Sequence, residues 1–405
     1  MSGKRIAVLS SAGGGGGGIA AKRMANAIDA GGRHRSEFID IKSIGEALPQ
    51  SVSPQKSLTN NIISDTHFTV EYPGFQRGWI IELLSNYDLI NIHWASYLLS
   101  MSEILELAQK GKPILFMLHD FYYTTGGCHY PATCDQFGLG CHDCPQLDTS
   151  QCSPRVIQEN YKLKKKIFSL PNVKIAAPSA FLRDAAVESG IISADRAHVL
   201  RNAYVPTKIF DVKKPFKRRI LLIADSLNER RKHMQFALKV LAALHEVGEE
   251  FVVDVVGTAA PELLEYLRQH GVNHTFHGRI TEHSRLVDIM SQADILLSAS
   301  LEDNWPNILV EAGSYGVMPV VGPGHGCAEF VKTFDFGEIA ASYEVPSFVN
   351  AMIKALSQKS TEKRAKAVSA IRQMHDPKKI AGDLNKILDK MPENTKELAA
   401  PNGRI

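Results

Sequence analysis

Short apolar runs alternate with segments of helical spacing along the whole chain. Ile6-Ala7-Val8-Leu9, Phe38-Ile39-Asp40-Ile41, Leu89-Ile90-Asn91-Ile92, Ile114-Leu115-Phe116-Met117 and Val173-Lys174-Ile175-Ala176 read as one series of strands. A second series runs through Ile220-Leu221-Leu222-Ile223, Phe251 to Gly257, Thr275-Phe276-His277-Gly278, Asp294 to Ser298 and Met318-Pro319-Val320-Val321. Between them, segments such as Ile19 to Ile28, Met234 to Leu244 and Pro261 to His270 suit helices, the alternation of an α/β chain with parallel sheets. A polar stretch containing Pro and Lys, from Pro206 to Arg219, separates the two series and sets a boundary near residue 206. The pattern predicts a Rossmann-like domain over residues 1–205 and a second over 206–375. Residues 376–405 form a helix carrying Ile380, Leu384, Ile387 and Leu388 at helical spacing, followed by a polar tail, and are expected to pack back on the first domain.

Composition narrows the class. The 405 residues, 44% apolar and 22% charged, are enough for two or three domains with real cores, which excludes a disordered chain and a disulfide-stapled module. No apolar run approaches the roughly 18 residues of a membrane-spanning helix. The apolar run after Arg5 is too short for a signal-peptide core, so a cytoplasmic location is expected. A net charge of +3 is too small for a nucleic-acid footprint.

Gly13 to Gly18 lie between a strand and a helix, where bare backbone and a helix N-terminus can approach a phosphate, with Gly15, Gly16 and Gly17 at the centre of the run. Asp40 lies close to the distance at which a dinucleotide fold places its ribose-binding acid, so an NAD-dependent dehydrogenase is a rival reading. A flexible glycine loop with Asp40 as a turn residue is the plainer one.

The most informative stretch is Ser300-Leu301-Glu302-Asp303-Asn304-Trp305-Pro306-Asn307-Ile308-Leu309-Val310-Glu311, with Asp303 and Glu311 eight residues apart across a proline that can start a helix at its first position. Glu311 is then placed to bind vicinal hydroxyls, and the helix N-terminus near Asn307 to meet phosphates. This stretch resembles the E-x7-E signature of the retaining GT-B glycosyltransferases of family 4, in the form found in their colanic-acid and exopolysaccharide branch. Glu311 matches the second acid; Asp303, with Glu302 as the alternative, stands at the first. Arg231-Lys232 looks like the family's diphosphate clamp, with His233 in place of the usual glycine. Gly322-Pro323-Gly324-His325-Gly326-Cys327-Ala328-Glu329 resembles its glycine-rich donor loop, which points to His325 and Gly326, and Gly278-Arg279 sits where the family cradles the nucleotide base.

In the first half, His93 and His119 each follow a strand, where open α/β sheets gather ligands. His119-Asp120 matches the family's His-Asp, which the resemblance assigns to contacts near the sugar and acceptor. Asp120 either orients the imidazole or caps the next segment. Cys128, Cys134, Cys141 and Cys144 fall within seventeen residues, a density that in a cytoplasmic chain suits a structural zinc better than disulfides, although only one short knuckle is present. The region of about 126–152 also resembles a Cys-rich insertion of the same branch. Lys162, Lys164, Lys165 and Lys166, with Ile157, Tyr161, Ile167 and Phe168, describe a basic amphipathic segment that suits either solvent or an anionic membrane surface.

The resemblance implies a GT-B architecture, two Rossmann-like domains facing across a cleft. It also implies an enzyme that moves a sugar from a nucleoside-diphosphate sugar to a hydroxyl of a glycan or lipid-linked acceptor, with retention and no catalytic cofactor, at the inner face of the plasma membrane. A nucleotide-sugar epimerase and a non-catalytic nucleotide-sugar-binding protein are the alternatives.

Overall fold

The computed structural model describes residues 3–44, 68–69, 78–96, 98–150, 152–209, 211, 214–258, 261–358 and 360–392. The polar tail beyond residue 392 lies outside them.

In chain order the first elements are β1 (Arg5–Ser10), α1 (Gly15–Ala30), β2 (Arg35–Ile39), α2 (Gly78–Ser85), β3 (Leu89–Trp94), α3 (Met101–Gln109), β4 (Ile114–Met117), α4 (Pro154–Ser169), β5 (Val173–Ala177), α5 (Ala180–Glu188) and β6 (Ala197–Val199). There follow β7 (Arg219–Ser226), α6 (Met234–Glu246), β8 (Val252–Thr258), α7 (Pro261–Gln269), β9 (His274–Gly278), α8 (His283–Gln292), β10 (Ile295–Ser298), α9 (Asn307–Gly313), β11 (Met318–Val321), α10 (His325–Phe334), β12 (Glu338–Ile339), α11 (Val345–Ser357), α12 (Thr361–Met374) and α13 (Pro377–Leu388).

These elements divide into two compact units. Unit 1 comprises the residues to Ala203 together with those from Asp376 onward, and unit 2 runs from Tyr204 to His375. Each contains one parallel sheet of six described strands, in the order β2-β1-β3-β4-β5-β6 in unit 1 and β12-β11-β10-β7-β8-β9 in unit 2. The central strands are buried along their length, which is why they read as continuous apolar runs: every residue of β4, β5 and β11 is buried. β2, at an edge, alternates in burial and carries charge, so its start at Arg35 escapes an apolar-run search. β6 and β12, of three and two residues, are too short to show a period.

Local signals set several ends. Ser100 and Glu103 form a reciprocal capping box on α3, and Ser153 followed by Pro154 opens α4. Asp376 caps α13, whose Ile380, Leu384 and Ile387 join Met24 and Ile28 of α1 in one apolar cluster of unit 1. Two starts differ from expectation. α1 begins at Gly15, inside the glycine run, although glycine is a poor helix former, since the packed helix that follows supplies the stability. Pro306 is the residue preceding α9, one position earlier than its expected place at the first helical position.

Candidate functional site

In both units several of the candidate residues lie at the carboxyl ends of the central strands, whereas Gly278 and Arg279 lie at the end of the edge strand β9 and the candidate cysteines lie between β4 and α4. In unit 2, β7 leads through Leu227 to a short 3-10 turn, Arg230–Lys232, and β10 leads to the loop before α9. Lys232 Nζ lies 2.7 Å from Asp303 Oδ2, and Arg231 Nη1 lies 3.4 Å from the same oxygen. Arg231 also donates to the Glu302 carbonyl at 2.8 Å, and its Nε donates to Glu229 at 2.9 Å. Burial alone would raise the Asp303 carboxyl, but the Lys232 and Arg231 charges and their hydrogen bonds outweigh it and hold the group below its ordinary value. Of the two acids at this position, Asp303 is therefore the one that meets the clamp. Glu302 is itself buried, beside Tyr343, whose hydroxyl donates to the Ser300 carbonyl at 2.6 Å. Glu311 is nearly buried within α9.

The loop before α10 interlocks with the acid loop. Gly326 donates its N–H to the Asp303 carbonyl at 2.9 Å, and a Cβ at Gly326 would sit 2.0 Å from the Asn304 carbonyl oxygen, so this position admits no side chain. His325 begins α10 with φ of +56°, and burial depresses its imidazole, with Asp303 pulling the other way. His233 takes φ of +53°, the left-handed conformation for which a glycine would serve, and its ring stacks on Phe236 at 4.6 Å. The imidazole thus occupies the glycine's place by packing sideways. Gly278 closes β9 and Arg279 pairs with Asp225 at 2.9 Å in an exposed contact, while Asn307 opens α9.

In unit 1 the site lies where β1, β3 and β4 end. Gly15 has φ of +69°, and α1 opens without a side-chain cap. Positions 14, 15 and 16 have open space where a Cβ would stand, whereas one at Gly17 would lie 3.6 Å from the His119 ring. His93 Nδ1 meets His119 Nε2 at 2.8 Å, and the rings stack with centroids 5.0 Å apart. Burial pushes the His119 imidazole down to about 4 and His93 well below its ordinary value.

Asp120 pairs with His129 Nδ1 at 2.7 Å and accepts the Tyr122 N–H at 2.9 Å, so of its two expected roles these hydrogen bonds serve the cap, together with a different histidine. His129 Nε2 in turn meets Thr69 Oγ1 at 2.9 Å, and the ring stacks on Tyr122. Burial works against the Asp120 carboxylate, but the His129 charge and hydrogen bond prevail and lower it. Asp40 accepts the Ser43 N–H at 2.8 Å and closes the turn after β2, a turn residue's role rather than the ribose contact of the dehydrogenase reading.

One further expectation changes. Lys164 does not belong to a basic outer face: it is fully buried, donates to the Tyr122 and Thr125 carbonyls, and lies over the Tyr122 ring. The three other lysines of that segment remain. Among the described residues, no three His, Cys, Asp or Glu side chains are gathered so as to hold a metal ion, and all six cysteines are free thiols. Cys128 and Cys141 are buried, Cys141 accepting the Gly126 N–H at 3.1 Å; Cys134 and Cys144 are half-buried, and burial raises all four thiols.

Glu229 and Tyr343 complete the unit 2 arrangement and carry no motif, whereas His129 falls within the Cys-rich stretch and Asn91 within the strand run that ends at His93. Asn91 and His93 alone had a signal, since residues two apart on a strand share a face.

Two parallel α/β units, each gathering its charged and imidazole groups at the strand ends, define the GT-B architecture. Residues 205–374, nearly all of unit 2, match the family model "Glycosyl transferases group 1". The chain is 25% identical over 273 residues to the "Putative colanic acid biosynthesis glycosyl transferase WcaC" of Escherichia coli (strain K12), a match spanning 63% of this chain and 64% of that protein's length. Among solved structures it is similar to Anabaena Alr3699/HepE in complex with UDP and glucose, with TM-score 0.62, 16% identity and coverage of 95% of this chain and 99% of the other. It is also similar to a glycosyltransferase from Rickettsia africae ESF-5, with TM-score 0.65, 15% identity and coverage of 98% and 100%. Among the described residues no helix is long and apolar enough to cross a membrane.

Proposed function

We propose that this chain is a retaining glycosyltransferase that transfers a sugar from a nucleoside-diphosphate sugar to a hydroxyl of a growing glycan or lipid-linked acceptor in polysaccharide or lipopolysaccharide-type synthesis. The observation that carries the reading is the meeting of Arg231 and Lys232 with Asp303 at the mouth of the unit 2 sheet, with the Gly326 loop locked over it. Two cations fixed beside an acid, next to a helix that bears Glu311, form a site for a ligand that is anionic at one end and rich in hydroxyls at the other. Glu311 takes the ribose hydroxyls, Gly278 and Arg279 flank the base, Asn307 with the His325–Gly326 loop lies against the diphosphate, and the acid pair at 302 and 303 faces the sugar. In unit 1, His119 and the glycine turn at 15–17 serve the transferred sugar and acceptor.

Chemistry follows from charge. The bond from the anomeric carbon to the diphosphate breaks as negative charge develops on the leaving oxygen, which Arg231 and Lys232 stabilise. That oxygen can accept the acceptor hydroxyl's proton while the new bond forms on the same face, which retains configuration. Asp303 is held by two cations and does not serve as a nucleophile. The exposed lysines of α4 and an anionic inner leaflet belong to the same reading, as does a cytoplasmic location.

A thermal-shift panel of UDP, GDP, dTDP, CDP and NAD tests it first: a ligand at a hundredfold its Kd adds about 2.7 kcal/mol of stability. Stabilisation by one nucleoside diphosphate, followed by transfer from its sugar with retention at the anomeric carbon, is expected. Stabilisation by NAD alone overturns the reading. So does wild-type transfer by both Glu311→Ala and Lys232→Ala.

A further inference from the structure

A chain of three polar side chains runs through the core of unit 1 behind His119. Asn91 and His93 alternate on β3 and so lie on one face of the sheet, both buried. The Asn91 amide Nδ2 donates to the Leu115 carbonyl of β4 at 3.0 Å. A backbone carbonyl only accepts, so this contact fixes the amide with its oxygen on the other side, where Asn91 Oδ1 meets His93 Nε2 at 3.0 Å. His93 must therefore carry its proton on Nε2. In a neutral imidazole the other nitrogen is then bare, and His93 Nδ1 is the acceptor in the 2.8 Å contact with His119 Nε2. His119 in turn carries its proton on Nε2 and its lone pair on Nδ1.

We propose that Asn91 and His93 are positioning residues that lock His119 in its Nε2–H tautomer, so that its Nδ1 can only accept a hydrogen bond and is matched to a hydroxyl rather than to a phosphate or carboxylate oxygen. The tautomer lock rests on the hydrogen-bond geometry and on the burial of His93; the match to a hydroxyl of the sugar or acceptor rests on the transferase reading. The direction of the proton chain is anchored to the sheet, because its first link is a main-chain carbonyl that cannot reverse polarity. Burial supports it: His93 is fully enclosed against His119, and desolvation there disfavours the imidazolium that would reverse the direction of their contact. Partners of this kind, which fix the tautomer and aim of a functional histidine, typically change activity by about 10- to 100-fold when removed.

The test uses the full chain labelled with 15N-histidine. Long-range proton–nitrogen correlation spectra at neutral pH report which nitrogen of each ring carries the proton, and His93→Gln and His119→Gln assign the two rings. Both rings are expected as neutral Nε2–H tautomers in the wild type. In Asn91→Leu the Nδ1–H form is expected to appear at His93 and then at His119, with kcat at least about tenfold lower and KM for the donor changed much less. A wild-type spectrum with either ring as Nδ1–H or as imidazolium overturns the lock, and this outcome needs no variant to fold. Spectra as expected with an undiminished kcat in folded Asn91→Leu overturn the match to a substrate hydroxyl. Spectra as expected in a chain that transfers no sugar from any nucleoside-diphosphate donor sustain the lock and overturn the transferase reading instead.

Discussion

Lys232 and Asp303 face each other at 2.7 Å, from loops that follow β7 and β10, and Asp303 is held below its ordinary pKa although partial burial works against its charge. The pair fixes the position of the cation with no ligand present, which is the preorganisation that the proposed transfer requires. Lys232→Ala is expected to lower transfer by about 10²- to 10³-fold while leaving the fold intact, checked by labelled-sugar transfer alongside circular dichroism.

Asp303 also sets a pH dependence. Its folded pKa lies below the ordinary 3.8, so the stability it lends is fully present above that value and is lost as pH falls through the depressed one. Asp303→Asn is expected to be less stable than wild type at about pH 6 and to converge on it below about pH 3, read from denaturant midpoints across that range.

His119 acts in the opposite window. With a folded pKa pushed to about 4 against an ordinary 6.5, the unfolded chain gains a proton that the folded one refuses. Stability is therefore complete above pH 6.5 and falls between there and about pH 4, by up to about 3 kcal/mol if His119 alone titrates. Urea midpoints at about pH 7 and about pH 5 check it: the difference is expected to shrink in His119→Gln.

Gly326→Ala forces a Cβ to 2.0 Å from the Asn304 carbonyl, so one of the two loops must retreat. A loss of about 1–3 kcal/mol is expected in thermal or urea unfolding, with donor-induced stabilisation reduced or abolished.

Burial keeps the thiols protonated and enclosed, with Cys141 pushed up to about 11 and Cys128 well above its ordinary value. At about pH 7, native protein is expected to leave Cys128, Cys141 and Cys327 unlabelled by a maleimide, and denatured protein to label all six, as mass spectrometry of the peptides reports.

What the sequence made legible follows burial. β4, β5 and β11 announce themselves because every residue on them is enclosed and nearly all are apolar, whereas the GT-B class was implied by the resemblance of the motifs and not by the strands. The clamp and acid loop were legible as a motif, yet nothing in the spacing told Asp303 from Glu302; only the fold shows which carboxylate meets Lys232. Lys164 misled because helical spacing describes a stripe and not the depth of the groove beside it, and a lysine stem reaches carbonyls that composition cannot locate. His129 was hidden for a related reason: its partner Asp120 is nine residues away, across a loop with no periodicity.

The return of the chain at Asp376 gives synthesis a timetable. Met24 and Ile28 of α1 emerge from the ribosome early, but the residues that cover them, Ile380, Leu384 and Ile387, emerge only after the whole of unit 2. For that interval the nascent first unit carries an open apolar seam, the kind of surface that chaperones bind and that promotes aggregation. Unit 2 has no such wait, since its strands and helices arrive consecutively. A chain that ends just short of residue 376 and is released should therefore hold one finished domain and one still lacking its last helix.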